Sequence, residues 1–148
     1  MAGAKPNGDW VLYQNPDRHR VIGRPTSECT PWRDEAANML QLRGHGAADP
    51  MLRDYRGREL DPMVTREIVE GDKYVIDYVD ALVVNYDRPS TGTSMEVLYA
   101  HQRGIPVITI NAQAREERRP LSPWLVSHSS AVVESVAESI DAVEDLCL

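Results

Sequence analysis

Short apolar runs alternate with helically spaced apolar positions along most of this chain. Trp10 to Gln14 and His19 to Gly23 are two such runs, split by the turn formers Asn15-Pro16-Asp17-Arg18. That punctuation predicts a hairpin. Thr30-Pro31 opens a helix, with Thr as N-cap and Pro at the first helical position. Trp32, Ala36, Met39, Leu40 and Arg43 follow at helical spacing, and Gly44 ends it. Ala47 to Pro50 reads as a short strand, and Leu52 to Pro62 as irregular. A helix is expected from about Val64 to Val79, a buried strand over Ala81 to Tyr86, and a helix from about Ser94 to Arg103 stopped by Gly104. Pro106 to Asn111 carries the β formers Val107, Ile108, Thr109 and Ile110. After a polar loop, Ala112 to Pro120, come a short strand at Ala131 to Val133 and a last helix over Ser135 to Leu146.

Strands alternating with helices through short loops predict a parallel sheet covered on both faces, a three-layer α/β/α sandwich. Residues 1–19 read as a tail and an extra hairpin strand, and residues 20–148 as the α/β domain. In an open sheet of this kind ligands bind along the carboxyl ends of the strands.

Composition narrows the partners. A chain of 148 residues, 42% hydrophobic, suits one domain with a real core. Its net charge of −7 and pI near 5.0 supply no basic excess to neutralise a nucleic-acid polymer. No apolar run approaches the ~20 residues of a membrane span, and residues 1–9 lack the apolar core of a signal peptide. The chain therefore reads as cytoplasmic, with Cys29 and Cys147 as free thiols. No Cys/His spacing suggests a metal.

The chemistry concentrates between Asp80 and Ala100. The apolar strand runs into Asp87-Arg88-Pro89-Ser90-Thr91-Gly92, and a helix is expected to open at Thr93 or Ser94 with Glu96 in its first turn. A carboxylate at that junction can serve as nucleophile or base, and the backbone donors of Ser90 to Thr93 favour an anion. Asp72 on the preceding helix and Asp87 in the turn are further candidates. Hydroxyls recur at Arg24-Pro25-Thr26-Ser27, at Ser90 to Thr93 and at Ser122, which suits phosphate or sugar. Plainer roles exist for each: Glu96 offsetting the helix dipole, Asp72 as a solvated charge beside Lys73, the hydroxyls as caps and turns.

Asp72 stands eight residues before Asp80; Pro89-Ser90-x-Gly92-x-x-x-Glu96, Gly104-x-Pro106-Val107-Ile108 and Leu121-Ser122-Pro123-Trp124 follow in order. This series resembles the nucleoside 2-deoxyribosyltransferase family over roughly residues 20–146. The resemblance implies a flavodoxin-like, doubly wound parallel sheet and cleavage of a nucleoside N-glycosidic bond. Glu96 matches the family's nucleophile and Asp72 the carboxylate that assists protonation of the leaving base. No metal or organic cofactor is implied, and a homodimer or higher homo-oligomer is expected.

Two branches of the family differ at Ser90. Base-exchanging transferases tend to carry Asp there, six residues before the catalytic Glu. The Pro-Ser-x-Gly-x-x-x-Glu form is similar to the 2′-deoxynucleoside 5′-monophosphate N-hydrolases. In that branch Ser90 binds the 5′-phosphate with Gly92 and Thr93, and Ser122 reaches it from a neighbouring subunit. Gly23, Arg24, Thr26 and Ser27 would be the first-loop counterparts, with Asp87 also near the substrate. The chain departs from the pattern in the extra segment carrying Trp10 and Tyr13, and in Ser94 where the hydrolase branch often has Gly. The expected substrate is thus a (2′-deoxy)nucleoside 5′-monophosphate. The alternatives are base exchange on free deoxynucleosides, a non-catalytic nucleotide-binding module of the same fold, and a flavin- or phosphate-binding flavodoxin-like protein.

Overall fold

A computed structural model describes residues 10–14, 31–48, 57–85, 91–111 and 121–147. In chain order the elements are β1 (Trp10–Gln14), α1 (Pro31–Leu42), β2 (Gly46–Ala48), α2 (Pro62–Asp77), β3 (Ala81–Asn85), α3 (Thr91–Gln102), β4 (Val107–Ile110), α4 (Pro123–His128), β5 (Ala131–Val133) and α5 (Val136–Cys147). The strands form a single sheet in the order β2-β1-β3-β4-β5.

The central strand explains the arrangement. Ala81, Leu82, Val83 and Val84 are all fully buried, as a strand covered on both faces must be. Their alternation splits the core in two. Leu82 and Val84 pack with Val75, Ile76 and Val79, with Val97 and Ala100 of α3, and with Leu125 of α4. Ala81 and Val83 pack with Ile108 and Ile110, with Ala36 and Leu40 of α1, and with Val136, Ile140 and Val143 of α5. Helices thus contribute to both cores of a mixed α/β fold.

The expectation of an all-parallel sheet needs correcting. β3, β4 and β5 are parallel to one another. β1 runs antiparallel to both its neighbours, pairing Leu12 with Ala48 on one side and with Leu82 on the other. Trp10–Gln14 therefore lies within the sheet, between β2 and β3. Strand direction leaves no mark on an apolar run of five residues, because side-chain alternation is the same either way. The expected hairpin partner, His19 to Gly23, lies outside the described residues.

Helix ends follow the punctuation. Gly44 and Gly104 adopt φ of +85° and +75°, the left-handed conformation that glycine enters without a steric cost. Beyond them the His45 N–H donates to the Leu40 carbonyl at 2.8 Å and the Ile105 N–H to the Ala100 carbonyl at 2.9 Å, closing both helices in the same way. α2 starts earlier than its periodicity suggests. Asp61 Oδ1 accepts from the Met63 N–H at 2.9 Å, with Pro62 at the first helical position. Among the described residues no helix is long and apolar enough to cross a membrane.

Candidate active site

α3 connects parallel strands β3 and β4, so its N-terminus stands at their carboxyl edge. It begins at Thr91, two or three residues before the expected start, and Glu96 consequently lies in its second turn. The Ser90-Thr91-Gly92 run reads as a turn by composition, yet Thr91 and Gly92 already belong to the helix. The buried positions of α3 are Thr93, Glu96, Val97 and Ala100. Their spacing is i, i+3, i+4, i+7, the inward stripe of a helix. Val97 and Ala100 continue that stripe into the core shared with Val84 and Val107. Glu96 is 8% exposed and Thr93 2% exposed, and Glu96 is the one buried acidic side chain among the described residues.

Burying a carboxylate costs free energy that an apolar side chain at the same place would not incur. Glu96 is therefore an interruption of its stripe rather than a charge offsetting the helix end.

Asp72 repeats the motif on α2. Val64, Ile68, Asp72, Val75, Ile76 and Val79 share one face of that helix and its C-terminal turn, and Asp72 is its half-buried acidic member. α2 and α3 lie side by side over the same core. Lys73 places its ammonium 5.5 Å from the centre of the Tyr99 ring, and the Tyr99 hydroxyl reaches both Asp77 oxygens at 2.9 Å. Asp72 and Glu96 both fall on the N-terminal side of this contact, toward the carboxyl edge of the strands.

Ser122 is on the opposite flank of α3. It is exposed and caps α4, its Oγ accepting from the Trp124 N–H at 3.2 Å. α4 leans on α3 through the rings of His101 and His128, which meet edge to face at 4.6 Å, while Trp124 stacks on His128 at 5.8 Å. Thr109 of β4, fully buried, shares a 2.7 Å hydrogen bond with Ser129 and holds the C-terminal end of α4 to the sheet. Gly92 is exposed on the first turn of α3. Gly23, Arg24, Thr26, Ser27, Asp87 and Ser90 lie outside the described residues. Glu96, Thr93, Gly92 and Asp72 are thus gathered toward one end of one face of the sheet, with Ser122 on the next helix.

Two features escape a reading by motif. Asn85 ends β3 with its side-chain carbonyl oxygen buried and without a hydrogen-bond partner; a polar residue closing an apolar run is the signal that marks it. The second is the group on the outer surface of α2 and α3. Arg103 Nη2 donates to the Tyr99 hydroxyl at 2.6 Å, and its Nε lies 3.2 Å from Asp77. The Tyr99 hydrogen bond, then the Asp77 charge, hold the Arg103 guanidinium above its ordinary pKa. Residues 73 and 77 against 99 and 103 form an i, i+4 pair on each helix, and pairs at this spacing share a helix face.

Among the described residues no three His, Cys, Asp or Glu side chains gather where they could hold a metal ion. The Cys147 thiol is pushed up in pKa by burial and by the Asp80 charge, and lies 3.7 Å from the Asp80 carbonyl. No protein-family model and no curated protein matches the chain.

Proposed function

We propose that this chain is a flavodoxin-like, three-layer α/β enzyme that cleaves the N-glycosidic bond of a (2′-deoxy)nucleoside 5′-monophosphate. The observation that carries the reading is that Glu96 and Asp72 interrupt the inward stripes of adjacent helices at the same end of the sheet. Two acidic interruptions on neighbouring helices supply the two carboxylates that retaining glycoside cleavage uses.

In this mechanism the Glu96 carboxylate attacks the anomeric carbon as the carbon–nitrogen bond to the base breaks. The departing base takes a proton delivered with the help of Asp72, so it leaves neutral. The resulting glycosyl ester on Glu96 is then opened by water, which transfers a hydroxyl to the anomeric carbon and returns a proton. Two displacements retain configuration, as in retaining glycosidases. Burial of Glu96 supports this role, since a weakly solvated carboxylate is a better nucleophile and excess water is kept from the ester. Ser90, Thr93 and Ser122 supply neutral donors to the 5′-phosphate, a recognition compatible with an acidic chain. Under this reading a second subunit brings Ser122 to the site.

The test is incubation of the protein with deoxynucleosides and their 5′-monophosphates, reading free base by chromatography. Base is released from a monophosphate faster than from its nucleoside, and Glu96→Gln lowers the rate by roughly a thousandfold or more. Near-normal turnover by folded Glu96→Gln would end the nucleophile assignment. Preference for the nucleoside, with base exchange, would favour the transferase.

A further inference from the structure

We propose that Tyr99 is a positioning residue that sets α2 against α3, and with it Asp72 against Glu96. This rests on the glycosidase reading above. Tyr99 sits one helical step, i+3, beyond Glu96, with its ring packed against the core that both helices share. Its hydroxyl crosses to α2, where it donates to the Asp77 carboxylate at 2.9 Å, and it accepts from Arg103 Nη2 at 2.6 Å. Arg103 closes the triangle through its own Nε–Asp77 contact of 3.2 Å. The guanidinium also lies 4.9 Å from the ring centre. The Lys73 ammonium, next in sequence to Asp72, stands 5.5 Å from the ring centre.

The geometry separates this group from an ordinary surface ion pair. A lone exposed pair contributes little and constrains little. Here three side chains, Lys73 and Asp77 of α2 and Arg103 just past the end of α3, converge on one ring and one hydroxyl. Two contact points a helical turn apart, at Lys73 and Asp77, fix sliding along the axes as well as rotation about them. Asp72 is one residue from the first of these points, so a slip of α2 at Tyr99 is passed on to Asp72 in full. Asp72 assists a proton transfer in the proposed reaction, and such a step needs its partners within hydrogen-bond reach. Misplacement by about 1 Å is worth up to roughly a hundredfold in rate.

Tyr99→Phe keeps the packed ring and removes the hydroxyl. With a deoxynucleoside 5′-monophosphate that the wild type cleaves, kcat falls about tenfold or more while KM changes less than about twofold. In an Asp72→Asn background the same substitution adds less than about twofold, because the group it positions is already disabled. A deoxyriboside 5′-phosphate with a nitrophenolate leaving group, which departs without a proton, loses less than the natural substrate. Asp77→Asn, which keeps the side-chain shape, repeats this pattern and serves where Tyr99→Phe does not fold. An unchanged kcat, an effect confined to KM, or an equal loss in both backgrounds overturns the positioning role. These outcomes remain distinct from failure of the glycosidase reading. Turnover abolished by Glu96→Gln but untouched by Tyr99→Phe removes this inference alone; no turnover by the wild type on any substrate of the panel removes both.

Discussion

In the core that takes in α1 and α5, Leu40, Val83, Ile108, Ile110 and Ile140 meet with almost no exposed surface, and apart from Ser139 the buried positions of α5 are apolar. Ser139 is the polar member of the α5 face, and its hydroxyl is satisfied within the helix by the Val136 carbonyl. Charge is kept to the margin, where Arg43 reaches Asp141 at 2.8 Å and Glu144 at 2.6 Å, and His45 lies 3.0 Å from Glu144. In the core that takes in α2, α3 and α4 the helical stripes are broken by Asp72, Thr93 and Glu96. One face spends its interior on packing alone. The other carries acidic groups in positions that hydrophobic burial alone would fill with Val or Leu.

Substitutions on each face sharpen the contrast. Ile140→Ala removes a fully buried side chain from the apolar side and should cost about 2–5 kcal/mol of stability. It should leave kcat per folded molecule unchanged, which thermal or denaturant melts paired with active-site-normalised rates will check. Asp72→Asn should do the reverse. The rate on a natural base should fall by about one to two powers of ten, the melting temperature should hold or rise, and a substrate with a good leaving group should be affected least. An equal loss on both substrate types would turn Asp72 into a binding or structural residue.

The smallest effect belongs to the charged margin. Hydrogen bonds from His45 and then from Arg43 hold the Glu144 carboxyl below the ordinary carboxylate range. A folded-state pKa below the unfolded one stabilises the protein above the unfolded value, and the contribution is lost as pH falls through the folded value. The melting temperature should therefore drop on acidification below about pH 4.5, the ordinary value for this group. Glu144→Gln should flatten that part of the profile without altering the plateau of the proposed glycosidase activity near neutrality.

Periodicity carries much of this architecture in the open. The stripes of α1, α2, α3 and α5, the buried run of β3 and the glycine stops at Gly44 and Gly104 are all readable from residue spacing. Caps are readable too, though two pass unnoticed. Asp61-Pro62 and Ser122-Pro123 repeat the Thr30-Pro31 signature, and the six-residue α4 is otherwise too short to show a period. The inward turn of Glu96 follows from Thr93, Val97 and Ala100 once the helix start is known. That start is obscured because Thr91 and Gly92 are turn formers by composition. The direction and place of β1 are another matter. They depend on partners at Ala48 and Leu82, distant in sequence, and no local pattern records them. The Tyr99 group is likewise invisible, since Tyr99, Arg103 and Asp77 carry no signal until two helices are set side by side.

The antiparallel insertion of β1 has a consequence in time. Among the described residues β2 reaches β3 in the sheet through β1, so a strand early in the chain waits for partners made much later. The β3–β4–β5 portion can assemble by successive strand–helix–strand steps, each closing a short stretch of chain. β2 gains its place in the sheet when Trp10–Gln14 closes against Ala81–Val84, a long-range pairing of the kind that slows folding. Assembly should then proceed from the carboxyl-terminal half backwards, with the oldest segment of the chain locking the sheet last.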